Sequence, residues 1–106
     1  NLDPAQCAEA DKRRSAVIVS NDGANATAAR LGRGVVTVVP VTSNVERIYP
    51  FQVLLTRSET GLERDSKAQA EQVRSVPVEH VGRVIGRLAP ATMESLDDAL
   101  RVHLAL

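Results

Sequence analysis

A run of β-branched residues in the first half of the chain limits the fold more than any other feature. Gly34 is followed by Val35-Val36-Thr37-Val38-Val39-Pro40-Val41, and β-branched side chains favour an extended backbone because a helix restricts their χ1 rotation. Pro40 has no N–H to donate to a neighbouring strand, so the run predicts a strand that lies near a sheet edge or a bulge at that point. A second run, Ala16-Val17-Ile18-Val19, is fully apolar and predicts a buried strand.

The rest of the chain predicts further strands and one terminal helix. Strands are expected at residues 50–55 and 81–88, the second bent at its glycines, with a charged turn at 61–65. Met93, Leu96, Leu100 and Leu104 recur at helical spacing after Pro90, which suits a first helical turn. The remaining segments give weaker expectations: a loop at 1–14, a turn at 21–23, a helix or loop at 24–33, and a helix or strand at 67–76.

The expected fold is therefore α+β, mostly β, with a compact antiparallel sheet or small barrel and a C-terminal helix. A length of 106 residues suits one domain with one core. Cys7 is the only cysteine, so no internal disulfide is possible and a reducing compartment is the simpler interpretation. Because no apolar run approaches the roughly 18 residues that span a bilayer, and no signal peptide opens the chain, we expect a cytoplasmic domain without membrane contact.

The charge balance limits the kinds of nucleic-acid binding that are plausible. Thirteen basic residues balance 13 acidic ones, which argues against a protein that grips nucleic acid over a long phosphate track. An enzyme that contacts a few nucleotides needs only a local basic patch. Lys12-Arg13-Arg14 is a candidate for such a patch, and a solvated run of charges in a loop is an equally good explanation.

Most common catalytic signatures are missing from the sequence. It has no His-Cys cluster with metal-ligand spacing, no nucleophile elbow and no phosphate-binding glycine loop. Two positions remain: Arg14, directly before the shorter apolar run, and Thr42, which with Ser43 and Asn44 follows the longer one. The ends of strands are where rigid scaffolds present functional groups, although a surface arginine and a strand-ending turn are the simpler explanations for each position taken alone.

The order and the sequences of the segments resemble the MazF/PemK family of bacterial toxins over nearly the whole chain. No single motif is specific to this family, but the motifs taken together and in this order are. The matching segments are Leu2-Asp3-Pro4, Arg14 with Ala16-Val17-Ile18-Val19-Ser20-Asn21-Asp22, Val38-Val39-Pro40-Val41-Thr42-Ser43-Asn44, Tyr49-Pro50-Phe51, Gly61-Leu62-Glu63-Arg64-Asp65-Ser66, Glu71-Gln72-Val73-Arg74-Ser75-Val76 and Ile85-Gly86-Arg87-Leu88, followed by the helical tail.

The resemblance implies a function as well as a fold. It implies a small SH3-like barrel of the CcdB/PemK type that forms a homodimer, and a metal-independent endoribonuclease, without cofactor, that cuts single-stranded RNA in the dimer groove. The C-terminal segment of a MazE-like antitoxin would occupy the same groove. The family's catalytic arginine and threonine fall on Arg14 and Thr42. Residues that match positions along the RNA path are Glu9, Asn21, Ser43, Ser66, Glu71 and Gln72.

Three departures from the family pattern leave an alternative open. Ser15 replaces the proline that follows the catalytic arginine, and Cys7-Ala8 replaces a Gly-Ser step before Glu9. The family's opening strand precedes Leu2, so the single toxin domain at 1–106 is expected to lack it. The alternative is a non-catalytic binding toxin, or an inactive relative retained for antitoxin or gyrase binding. Gyrase binding on this fold uses a tail that includes a tryptophan, and this chain has none.

Overall fold

Seven strands and two α-helices are described over their full lengths. The computed structural model describes residues 6–10, 14–20, 26–27 and 30–106, the first of these ranges by its backbone. The strands are β1 (Gln6–Ala10), β2 (Arg14–Ile18), β3 (Val35–Thr42), β4 (Gln52–Leu55), β5 (Ser66–Gln69), β6 (Arg74–Pro77) and β7 (Val81–Arg87). The helices are α1 (Arg57–Thr60) and α2 (Pro90–Leu104), and two 3₁₀ turns lie at Ala70–Gln72 and Val78–His80.

All strand pairs are antiparallel, and β3 is the centre of the sheet. The strand order is β4-β5-β3-β2-β1-β7, and β6 also pairs with β3. The expected fold class, an antiparallel sheet with a C-terminal helix, is confirmed, but the sheet is open: among the described residues no pairing joins β4 to β7. Helix α1 lies against β7 instead, where a Cβ on Gly86 would clash with the Thr60 carbonyl. This close backbone approach holds α1 against the edge strand β7.

Of the two features expected at Pro40, a sheet edge or a bulge, the edge is not found, because β3 is a central strand; instead β3 changes its pairing partner from β6 to β5 there. The Val19 N–H donates to the Thr37 carbonyl across β2 and β3, so by alternation the backbone of Pro40 faces away from β2. On that other side β3 pairs with β6 through residues 35–38 and with β5 through 41–42. Pro40 falls between these two partners, where no ladder hydrogen bond is needed.

Several local predictions were incomplete. Residues 6–10 were expected in a loop, yet they form β1, which pairs with both β2 and β7. The ambiguous segment 67–76 holds parts of two strands with a 3₁₀ turn between them, and α1 was not anticipated. In the segment 24–33, helical backbone is found at 26, 27, 30 and 31. The predicted turn at 21–23 lies outside the described residues.

The core lies on both faces of β2 and β3, because successive residues of a strand point to opposite sides. Val17 and Val39 join the larger cluster, which α2 covers with Met93 and Leu96. The smaller cluster on the other face consists of Ala16, Ile18, Val36, Val38 and Val76. Because both faces of β2 and β3 are buried, successive residues of these strands are apolar, which explains the continuous apolar runs in the sequence. It also makes the pair β2–β3 a firm base for the groups at its ends.

Candidate active site

The pairing of β2 with β3 brings the two predicted catalytic residues to the same end of the sheet. The register pairs Ala16 with Pro40, and the pairs around it follow the same alignment. Continued by two residues, this register sets Arg14 opposite Thr42. Side chains directly opposite in an antiparallel pair lie on one face. Arg14 and Thr42, which are 28 positions apart in sequence, are thus neighbours across two paired strands.

Arg14 and Thr42 line one open pocket of about 430 Å³. The described part of the wall carries hydroxyl, amide and guanidinium groups, and the two arginines among them favour an anion. Ser43 and Gln72, both predicted to line the RNA path, are also part of this wall. The described residues that line the pocket are Arg14, Ser15, Ala16, Pro40, Val41, Thr42, Ser43, Gln69, Gln72 and Arg74.

The two central side chains still have hydrogen-bonding capacity to offer a ligand. Arg14 is exposed, and its guanidinium has no hydrogen-bond or ion-pair partner within the part of the chain that the structure describes. The Thr42 hydroxyl accepts the Asn44 N–H at 3.3 Å, which orients the oxygen and leaves its proton available to donate. A planar cation and a hydroxyl donor facing one cavity are suited to binding the oxygens of a phosphate.

A second pocket of about 410 Å³ adjoins the first and shares Ser15, Val41 and Ser43 with it. Its far wall comes from the turn at 61–64 and from β7. Ser66, predicted to contact RNA, lies on this wall but is buried, and its hydroxyl donates to the Arg64 carbonyl at 3.1 Å. Ser66 therefore fixes the backbone of the turn. The two pockets meet at the ends of β2 and β3, and together they are here called the groove.

The structure does not bring every predicted residue to the groove. Glu71 lies outside both pocket linings: its Oε2 accepts a hydrogen bond from Gln52 Nε2 at 2.7 Å, and its Oε1 is buried with no partner among the described residues. Glu9 pairs with Ser15 in the β1–β2 register, which places its backbone beside the groove, and its side chain lies outside the described structure. Asn21 also lies outside it.

Two groove residues were missed as site candidates from the sequence. Arg74, at the start of β6, and Gln69, at the end of β5, both line the first pocket. Arg74 reaches it because β6 pairs with β3, where Val38 is its partner. No local pattern around Arg74 indicates that pairing, since it joins residues 36 positions apart. The pocket therefore holds two guanidinium groups instead of one.

Throughout residues 14–20 and 30–106, and in the shorter described pieces, no three His, Cys, Asp or Glu side chains are grouped so that they could hold a metal ion. The helices within the described ranges include none with the length and apolar character needed to cross a membrane.

Comparison with known proteins gives consistent results. Residues 1–104 match the family described as "PemK-like, MazF-like toxin of type II toxin-antitoxin system". Endoribonuclease MazF9 of Mycobacterium tuberculosis is 60% identical over 106 residues, covering 100% of this chain and 90% of that protein. The Mycobacterium tuberculosis toxin MazF-mt6 superposes with a TM-score of 0.78 at 27% identity, covering 97% of each chain. A mycobacterial endoribonuclease in complex with its cognate antitoxin gives a TM-score of 0.79 at 25% identity, covering 95% of this chain and 92% of that one.

Proposed function

Because the chain belongs to the PemK-like, MazF-like family of toxins of type II toxin–antitoxin systems, we propose that it is a sequence-specific endoribonuclease that cuts single-stranded RNA without a metal ion. The relative with 60% identity is named an endoribonuclease. The observation that carries the proposal is the shared pocket of Arg14 and Thr42. It offers a cation and a hydroxyl donor where a phosphate would enter.

RNA supplies its own nucleophile for such a reaction. The ribose 2′-oxygen forms a bond to the adjacent phosphorus while the bond from phosphorus to the 5′-oxygen breaks. The 2′-hydroxyl proton goes to a base and the departing 5′-oxygen takes up a proton, so the products are a 2′,3′-cyclic phosphate and a 5′-hydroxyl. DNA lacks the 2′-hydroxyl, which explains the selectivity for RNA.

Arg14 and Thr42 would stabilise the charge that develops on the phosphate. A guanidinium presents a planar fork of donors that matches two phosphate oxygens and keeps its positive charge throughout. The Thr42 proton, which has no acceptor among the described residues, would be donated to a non-bridging oxygen. Such preorganised donors are worth most in the transition state, where the negative charge is greatest.

The proton acceptor is a separate question, because neither Arg14 nor Thr42 is a good base at neutral pH. Glu9 is the carboxylate that the family resemblance assigns to this region. Its backbone position opposite Ser15 on the rim of the groove is compatible with that role. Glu9 is therefore the candidate general base.

The groove would also be the binding site for the protein partners of this chain. We propose that two chains form a homodimer and that the C-terminal segment of a MazE-like antitoxin occupies the groove and excludes RNA. A structural relative was solved with its cognate antitoxin. An acidic peptide would complement the two arginines that line the first pocket. The RNA targets would be those of the bacterial cytoplasm.

A single experiment tests the activity and separates it from the alternatives. The purified chain is incubated with a long RNA of mixed sequence, with and without EDTA, and the fragment ends are sequenced. We expect cuts at a recurring short sequence that leave 5′-hydroxyl ends, equally in both conditions. Intact RNA with a chain that still binds an antitoxin peptide would identify an inactive relative and refute the proposal.

A further inference from the structure

Arginine side chains also line the second pocket, which the proposed reaction does not use. Arg64, from the turn after α1, and Arg83, from β7, both line this pocket of about 410 Å³. Among the described residues around it, Glu63 is the acidic one, so two positive charges stand against one negative charge. The second pocket therefore has a positive charge of its own, apart from Arg14 and Arg74 in the first pocket.

Buried hydroxyl groups hold the turn that carries Arg64. Ser66 is buried, and its hydroxyl donates to the Arg64 carbonyl at 3.1 Å. Thr60 is buried at the start of the turn, where its hydroxyl donates to the Thr56 carbonyl at 2.9 Å and accepts the Leu62 N–H at 3.2 Å. These bonds fix the backbone on both sides of the turn. Arg64 therefore extends from an ordered segment, so a ligand would have to order only its side chain.

Close backbone contact sets this turn directly against β7. A Cβ added to Gly61 would lie 3.5 Å from the Ile85 carbonyl oxygen, and Ile85 and Arg83 belong to the same strand and both line the second pocket. Arg64 and Arg83 therefore reach one cavity from two elements that are packed together. A pair of guanidinium groups in one cavity can bind the oxygens of a single anion.

The two pockets lie on either side of a rim at the ends of β2 and β3. Leu62, in the wall of the second pocket, packs against the larger core cluster. Arg14 lies on the face of the smaller cluster, because it is two positions before Ala16 in β2. Ser15 and Ser43 line both pockets and so form the rim between them. A ligand that occupies both pockets must pass over this rim, which suits a flexible single strand.

We propose that the second pocket binds a second phosphate of the RNA strand whose scissile phosphate lies between Arg14 and Thr42, an inference that rests on the proposed function. Arg64 and Arg83 would donate to the oxygens of this second phosphate, which a planar guanidinium matches with two donors at once. Because these contacts are to the backbone, they position the strand without selecting a base. They add affinity for a strand that the first pocket holds at the point of cleavage.

Binding without cleavage tests the second pocket. The probe is a mixed-sequence pool of fluorescent, fully 2′-O-methylated RNA 12-mers, which lack the nucleophile, and affinity is read by anisotropy. A pool is suitable because phosphate contacts are independent of sequence. Arg64→Gln removes the charge but keeps a polar side chain, and it should weaken binding about fivefold. A plot of the logarithm of affinity against the logarithm of salt concentration should also become shallower by about 0.7, the contribution of one phosphate contact.

Two control variants separate the charge of the pocket from other effects. Glu63→Gln removes the negative charge next to Arg64 in the same turn, so it should tighten binding about threefold. Opposite changes from two neighbouring positions would not arise from a loss of fold. Arg57→Gln removes the charge of an exposed residue of α1 that lines neither pocket. It should leave affinity nearly unchanged at physiological salt, where exposed charges more than about 8 Å apart are largely screened.

Equal affinities of the Arg64→Gln and unmodified chains would overturn the second phosphate site, as would absence of binding by the unmodified chain. Equal losses in Arg64→Gln and Arg57→Gln would also overturn it, because the loss would then reflect net charge alone, and so would a Glu63→Gln chain that binds no more tightly. A different elution size for Arg64→Gln would assign the pocket to a protein interface instead. If the pool responds as expected and ordinary RNA remains uncut, the second pocket stands as an RNA site and the nuclease proposal fails.

The phosphate in the second pocket is identified by cleavage of RNAs in which one phosphate at a time is an uncharged methylphosphonate. For the unmodified chain, one position other than the scissile phosphate should raise KM about fivefold while kcat changes little, as expected for a contact that is equal in the ground state and the transition state. For Arg64→Gln the same position should add no further increase in KM. An equal penalty in both chains would show that Arg64 does not hold that phosphate.

Discussion

Replacement of Arg14 by alanine should lower the rate of RNA cleavage by about 100-fold while the fold is retained. The magnitude follows from the site. A guanidinium about 4 Å from a phosphate contributes roughly 1 kcal/mol in bulk water and about 4 kcal/mol at an effective dielectric of 20. Because the pocket is open and Arg14 is exposed, an energy between these two values applies. A 100-fold loss of rate corresponds to about 2.7 kcal/mol, the lower end of the loss measured for one preorganised donor. Arg74 in the same wall limits the loss.

The assay is single-turnover cleavage of a defined RNA, with thermal unfolding and size chromatography as checks on fold and assembly. An exposed substitution should change stability by no more than about 0.5 kcal/mol. Arg14→Lys keeps the charge without the planar fork and should fall between the two rates. Arg101→Ala is the matched control, since Arg101 is also exposed and forms only a surface ion pair with Asp98. Cleavage by a folded Arg14→Ala chain at the unmodified rate would refute the reasoning.

Three further predictions concern the same site. Thr42→Val keeps the shape but removes the hydroxyl, so single-turnover cleavage should slow by roughly tenfold or more; an unchanged rate would remove Thr42 from the mechanism. Dialysis against EDTA should leave the rate unchanged, and a loss restored by Mg²⁺ would point to metal-assisted chemistry. If Arg14 and Arg74 make the main phosphate contacts, a plot of the logarithm of RNA affinity against the logarithm of salt concentration should have a slope near −1.4, because each contact contributes about −0.7. A slope steeper than about −4 would require a long phosphate track instead.

The sequence predicted the elements whose signal is local. Two apolar runs predicted β2 and β3, and the spacing of Met93 and Leu96 predicted a helix that covers the core. The apolar face of this helix is less buried than the spacing predicted, because Leu104 at its end is 50% exposed. Elements that depend on distant partners were missed. Residues 6–10 have no strong strand preference and become a strand through pairing with β2 and β7, a case in which tertiary context overrides local propensity.

The same distinction applies to the site. Arg14 and Thr42, which line one pocket, were predicted as site residues because they stand next to strong strand signals and match a family pattern. Arg74 was not, because its place in the pocket depends on the pairing of β6 with β3. Ser66 and Glu71 match the family positions as well, yet the hydroxyl of Ser66 holds the backbone of a turn and the carboxylate of Glu71 holds Gln52. Sequence position alone does not distinguish a residue that faces the groove from one that supports its wall.

The serine that replaces the family's proline after Arg14 is better understood from the strand that contains it. A proline there would fix φ next to the arginine, and a serine leaves that angle free unless neighbouring strands fix it. Ser15 lies within β2, however, and pairs with Glu9 of β1, while the next residue, Ala16, pairs with Pro40 of β3. Neighbours on both sides fix the backbone that a ring would have fixed. Because Val17 is fully buried in the core just beyond, the backbone of Arg14 begins a strand that the core anchors.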